Sequence, residues 1–147
     1  MTVALSAKEI ANQLGDRFPG ALQEAGTDSV LVTSESLPAV IEYLKTAEGL
    51  KFDYLNYITA VDYYDYFEVV YMLTSLEFNR SVVLKVRIFT RDNPTVPSIT
   101  GLYQGADLQE REVYDLMGIK FEGHPNLKRI FLWEGYDGHP LRKDFNR

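Results

Sequence analysis

The sequence has no cysteine, one tryptophan and two histidines in 147 residues. Without thiols there is no disulfide framework, no thiolate zinc site and no cysteine-ligated iron–sulfur cluster. The two histidines, His124 and His139, leave little material for an all-protein metal site. Long apolar runs are missing too: none approaches the ~18 residues that a membrane helix needs. Residues 1–11 lack a basic stretch followed by a long apolar run, so no secretory signal is expected. Positive charge is scarce, with 15 Lys+Arg against 21 Asp+Glu and a formal net charge of −6. That balance argues against nucleic acid as a general partner.

What is present suits a globular chain, 46% hydrophobic and 24% charged, with 10 tyrosines and 8 phenylalanines. The length fits one domain that buries about two thirds of its unfolded surface. Ser6 to Phe18 reads as a helix: Ser6 and Glu9 match a capping box, Ile10, Leu14 and Phe18 recur every fourth residue, and Pro19-Gly20 breaks the run. Asp28 to Thr33 suits a short strand. A second helix is expected from Ser36 to Glu48, with Ser36 as cap, Pro38 in the first turn and Gly49 as stop. Three strands follow, at Phe52–Tyr63, Phe67–Glu77 and Ser81–Thr90. In the last, Val82, Leu84, Val86 and Ile88 share one face. Short links make these strands antiparallel neighbours. Arg91 to Pro97 reads as a loop, and Pro97-Ser98 as the start of a short helix. A last helix restarts at Asp107, with Glu110 three residues on. It carries the i,i+4 pairs Asp107–Arg111 and Arg111–Asp115, turns Val113, Leu116 and Met117 inward, and stops at Gly118.

The fold class is therefore α+β. A sheet of three or more mostly antiparallel strands has helices on one side, and an extended, irregular C-terminal arm follows. The boundary falls near residue 119, where the charge changes sign: residues 1–119 carry 9 basic and 17 acidic side chains, residues 120–147 carry 6 and 4. The arm contains an echo, Gly123-His124-Pro125 with Lys128-Arg129, then Gly138-His139-Pro140-Leu141 with Arg142-Lys143. Each proline holds its histidine extended, and each glycine permits a turn. One reading is an electrostatic clamp on a carboxylate, propionate or phosphate of a partner; the other is a pair of turns whose histidines cap backbone groups. A 2-His-1-carboxylate metal site lacks a recognised ligand spacing, and His139 with Asp137 or Asp144 lacks a nucleophile for acid–base catalysis. In Glu110-Arg111-Glu112 one carboxylate should turn inward and need a partner, with Arg129 and Arg142 as candidates. Tyr54, Tyr57, Tyr63, Tyr64, Tyr66 and Tyr71 gather in two strands, as core or as a docking face.

The run from Glu110 to Phe145, EREVYDLMGIKFEGHPNLKRIFLWEGYDGHPLRKDF, resembles the signature of the C-type, 30-kDa subunit of respiratory complex I, proton-pumping NADH:quinone oxidoreductase. The aromatic residues usual just before ERE are represented here by Tyr103, with Leu108 in place of the other. The resemblance implies a peripheral-arm subunit without redox chemistry. It supports assembly of a complex that couples electron transfer to quinone with proton translocation. Iron–sulfur clusters, quinone and, in members fed by NADH, FMN would sit in partner subunits. The implied partners are the quinone-site large subunit and the iron–sulfur subunits of the hydrophilic arm, with the membrane arm reached indirectly and no nucleic acid. The implied location is the cytoplasmic face of the cell membrane, or its stromal or matrix equivalent. Similar subunits serve membrane-bound hydrogenases and ferredoxin- or F420-dependent complexes, so the donor stays open. On this reading Glu110, Arg111 and Glu112 anchor the arm, with Asp115 and Gly118 counted in the same signature. His124, Arg129, His139, Arg142 and Lys143 hold it or the partner, with Pro125, Pro140, Leu141 and Asp144 counted in the same signature. A stand-alone binding domain is the alternative of another class, and a hydrolase a third.

Overall fold

The computed structural model describes residues 3–4, 7–26, 29–133 and 136–144. The elements are β1 (Val3–Ala4), α1 (Ala7–Arg17), β2 (Leu22–Ala25), β3 (Val30–Val32), α2 (Leu37–Thr46), β4 (Tyr54–Asp62), β5 (Phe67–Ser75), β6 (Arg80–Ile88), β7 (Thr95–Pro97), α3 (Ala106–Met117) and β8 (Lys120–Glu122). The main sheet runs β2-β3-β6-β5-β4, with β1 added beside β6. β4, β5 and β6 form the expected antiparallel meander. β1 and β3 join β6 in parallel, so the sheet is mixed.

Period-two alternation decides which face is covered. Val82, Leu84, Val86 and Ile88 of β6 pair with Leu73, Tyr71, Val69 and Phe67 of β5, and all eight are buried. A register shift between Leu55 and Tyr57 lets Leu55 and Ile58 of β4 reach the same core although they stand three apart. Helix α1 contributes Ile10 and Leu14, and α2 contributes Leu37, Val40, Ile41 and Leu44. Helix α3 lies along β4, where Gln109 Oε1 accepts the Ile58 N–H at 2.5 Å.

Several local expectations change. The proposed capping residue Ser6 and strand start Asp28 lie outside the described residues. Ser36 does not cap α2 through its side chain; its hydroxyl donates to the Thr33 carbonyl at 3.0 Å. Helix α2 closes at Ala47, with Gly49 in the turn beyond it at φ +83. The expected helix at Pro97-Ser98 does not form. Residues 95–97 instead pair as β7 with β8 in a parallel ladder, through Thr95–Lys120, Val96–Phe121 and Pro97–Glu122. Helix α3 begins at Ala106 behind Gly105, so Asp107 and Glu110 form no capping box. Gly118 does end it, in the left-handed conformation at φ +76. Val113 and Met117 are buried as expected, while Leu116 is half-buried.

Candidate functional site

The arm lies along α3, and the sequence of α3 explains how. Glu110 and Asp115 are both buried. Five helical positions separate them by about 140° around the axis, so they serve different surfaces. Glu110 turns to the loop after β7. Its Oε1 accepts the Ser98 hydroxyl at 2.6 Å and its Oε2 accepts the Ile99 N–H at 2.8 Å. Burial raises its pKa above the usual carboxylate value, and those two donors oppose the shift. The inward carboxylate expected in the ERE run is therefore Glu110, but its partners are a hydroxyl and an amide, not Arg129 or Arg142. Glu112 is exposed.

Asp115 serves the arm. Its Oδ2 accepts three successive backbone N–H groups, from Ile130 at 3.1 Å, Phe131 at 2.7 Å and Leu132 at 3.1 Å. Its Oδ1 pairs with Arg129 Nη1 at 3.2 Å, and Arg129 Nη2 donates to the Gly138 carbonyl at 2.7 Å. A buried carboxylate needs this degree of satisfaction. Arg111 donates to the carbonyls of Lys128 and Arg129, at 3.0 and 3.2 Å. The predicted helix pairs Asp107–Arg111 and Arg111–Asp115 do not form, because Arg111 turns to the arm and Asp115 turns inward.

The two Gly-His-Pro segments bracket the helix. His124, with its side chain fully buried, accepts the Asn126 N–H on Nδ1 at 2.9 Å. Its Nε2 therefore carries the proton and lies 3.2 Å from the Asp107 carbonyl and 3.1 Å from Asp107 Oδ1. At the other end, His139 Nδ1–H donates to the Asp115 carbonyl at 2.8 Å, and the Leu141 N–H donates to the Leu116 carbonyl at 2.9 Å. These bonds fill carbonyls that the last helical turn leaves without helical partners. Gly118 makes room for them: a Cβ there would stand 2.7 Å from His139 Cδ2. Pro125 and Pro140 follow the two histidines in these turns.

The arm's last described residues close on the end of the sheet. Asp62 of β4 receives Arg91 through two bonds, at 2.8 and 2.7 Å, and the backbone N–H groups of Tyr64 and Lys143 at 2.8 and 2.9 Å. The Arg91 guanidinium holds the Asp62 carboxyl well below the usual range. Asp144 bridges Arg142 and Arg91, at 2.8 and 3.0 Å, and its pKa is also lowered, most by Arg142. Arg142 Nη2 donates to the Arg91 carbonyl at 3.1 Å, and both guanidinium groups lie over the Phe67 ring. Lys143 Nζ lies 4.9 Å from the centre of the Tyr64 ring.

The structure thus brings Arg111, Asp115, Gly118, Arg129, His139, Leu141, Arg142 and Asp144 into contacts within the arm or between arm and body. Histidines 124 and 139 stand at opposite ends of α3, and neither pairs with Asp137 or Asp144. Among the described residues no group of three His, Cys, Asp or Glu is placed to hold a metal ion. Sequence reasoning missed Asp62 and Arg91. One signal was available, since Asp62 falls on the core-facing phase of β4 opposite Phe67. Of the tyrosines, Tyr71 is buried and Tyr66 half-buried, whereas Tyr54, Tyr57, Tyr63 and Tyr64 are exposed. No helix among the described residues is long and apolar enough to cross a membrane.

Comparison with known proteins agrees with this geometry. The family described as respiratory-chain NADH dehydrogenase, 30 Kd subunit, matches residues 30–147. A C-type NADH-quinone oxidoreductase subunit of Rhizobium etli (strain CIAT 652), numbered 2 in that organism, is 39% identical over 145 residues, covering 97% of this chain and 76% of that protein. The C-type NADH-quinone oxidoreductase subunit of Moorella thermoacetica (strain ATCC 39073 / JCM 9320) is 43% identical over 132 residues, covering 87% of each. Among solved structures, a chain of the membrane-bound sulfane sulfur reductase, an archaeal respiratory membrane complex, superposes with a TM-score of 0.75. It is 26% identical, and the match covers 95% of this chain and 85% of that one. The protein belongs to the family of 30-kDa subunits of respiratory-chain NADH dehydrogenase, a complex I-like oxidoreductase.

Proposed function

We propose that this chain is the non-redox 30-kDa subunit of a complex I-like quinone oxidoreductase, and that its arm docks on the quinone-site large subunit next to the iron–sulfur subunits. The observation that carries the proposal is the arm itself. It holds little regular structure, yet Asp115, Arg111 and Asp62 of the body hold it, Asp115 through both its carboxylate and its carbonyl, which takes His139. Such a segment leaves large apolar side chains, Ile130, Phe131, Trp133 and Leu141, exposed on its outer side. A neighbouring subunit is the natural cover for them. The clusters, the quinone and any flavin belong to partner subunits on this reading, and the assembly sits at the cytoplasmic face of the membrane or its organellar equivalent.

The likeness to a sulfane sulfur reductase chain favours a second version, in which the same subunit serves a complex with another electron partner. Purification through this chain from its native membranes in mild detergent, followed by mass spectrometry, tests both. Recovery of the quinone-site subunit with NADH-binding flavoprotein subunits supports the first version. Other electron-input subunits in their place support the second. Recovery of the chain alone overturns both.

A further inference from the structure

The arm's outer side carries more information than its exposure. At Ile130, Phe131 and Leu132 the backbone donors are already spent, because all three N–H groups point at Asp115 Oδ2. The carbonyls of Lys128, Arg129 and Gly138 are engaged by arginines. With its donors at 130–132 spent, the segment is poorly suited to add as a strand to a partner's sheet edge, which requires unspent main-chain groups. What it offers outward is side chains: Phe131 is 60% and Trp133 69% exposed.

The Trp133 side chain and the backbone that carries Phe131 are held in place. A relay runs from Asp115 to the Arg129 guanidinium, which lies 5.5 Å over the Tyr136 ring. That ring meets the Trp133 ring edge-on at 4.8 Å. One carboxylate thus fixes the backbone at 130–132 through its amides and reaches the Trp133 ring through Arg129 and Tyr136. Fixed aromatic side chains lose little further entropy on binding, and Trp is enriched among residues that dominate interfaces. The charge nearby also selects the partner. Arg129 and Arg142, the two described arginines of the arm, are paired with Asp115 and Asp144 and so are spent on carboxylates of this chain rather than on an anionic lipid surface.

We propose that Phe131 and Trp133 form a knob that inserts into an apolar pocket of a neighbouring protein subunit, and that Asp115 is the positioning residue that presents it. This rests on the docking role proposed above and names its anchor, its mode of binding and the residue that prepares it.

The test uses the assembled complex, immobilised through a tag on the full chain. Four forms are compared: wild type, Phe131→Ala/Trp133→Ala, Asp115→Asn, and the triple variant. Apparent affinity for the partner subunits is read from their retention, and amide exchange at 130–132 is followed in the full-length chain. The surface pair of substitutions should weaken retention about thirty-fold. Asp115→Asn should speed exchange at 130–132 and weaken retention too. The triple variant should be no worse than the double, since Asp115 acts through the knob. Retention equal to wild type in the double variant overturns the knob. Unchanged exchange in Asp115→Asn, or a triple variant that loses both effects in full, overturns the positioning role. Wild type that retains no partner overturns the docking role itself, and that outcome is distinct from the others. Trp133 is the only tryptophan of the chain. A blue shift of its emission on mixing with phosphatidylcholine–phosphatidylserine vesicles would assign the knob to lipid and overturn the protein pocket.

Discussion

Gly118 offers a clean quantitative test of how the arm is held. It ends α3 at φ +76, and an added Cβ would come within 2.7 Å of His139 Cδ2 and 3.1 Å of Cγ and Nε2. Gly123 has a similar backbone, φ +90, but a Cβ there meets nothing within 4 Å. Alanine at either position incurs the left-handed strain of an L-residue, about 1–2 kcal/mol. Only at position 118 must the His139 ring also move. That movement breaks its bond to the Asp115 carbonyl, a net loss of about 1 kcal/mol. Gly118→Ala should therefore cost about 2–3 kcal/mol and exceed Gly123→Ala by about 1 kcal/mol. For a chain of this size the difference is a melting temperature lower by about 2–4 °C. Urea unfolding of the two variants measures it directly. In a His139→Ala background the excess should vanish, because the obstructing ring is gone. Equal costs for the two glycines, or an excess that survives His139→Ala, would refute the reasoning.

Two further variants probe the buried carboxylates. Asp62→Asn leaves Arg91 without its main partner and should cost about 3 kcal/mol at neutral pH. The folded-state pKa of Asp62 is depressed, so the wild-type contribution is full above the unfolded value near ~4 and is lost as pH falls through the folded value. Urea titrations from pH 7 downward should therefore show the gap between wild type and Asp62→Asn closing in acid. Glu110→Gln should behave oppositely. Burial raises the folded-state pKa of Glu110, so its contribution is full below the unfolded value and declines as pH rises through the folded one. The advantage of wild type over Glu110→Gln should shrink between pH 4 and pH 7, and an advantage that grows would contradict the assignment.

Much of the frame was legible because it is local. The alternation in β6, the apolar face of α2 and the glycine stop of α3 are periodic or terminal signals, and they settle the class of fold. Apart from the two helix caps at Ser36 and Asp107, the misses are non-local. Residues 95–97, between Pro94 and Pro97, look like loop, and they become a strand only because residues 120–122 arrive beside them. The spacing of Asp107, Arg111 and Asp115 suggested ion pairs along one helix face. Carbonyls of the arm and buried amides outcompete an exposed pair of that kind, which contributes only about 0.3–0.5 kcal/mol. For the buried Glu110, charge pairing pointed to arginine, yet the acceptors are satisfied by Ser98 and Ile99. Neutral donors leave no mark in charge patterning. The Gly-His-Pro echo was visible as a repeat, and each of its histidines lies against a backbone carbonyl of α3. Which carbonyls they meet, Asp107 in the first turn of the helix and Asp115 in its last, required the fold.

The central claim is that the arm is a docking element of a subunit in a larger oxidoreductase. A photo-crosslinking residue placed at position 133 of the full chain, activated in native membranes and mapped by mass spectrometry, tests it most directly. The account predicts a dominant crosslink to one neighbouring subunit of the complex, at an apolar pocket. Crosslinks confined to this chain, on a protein that migrates as a monomer, would contradict it.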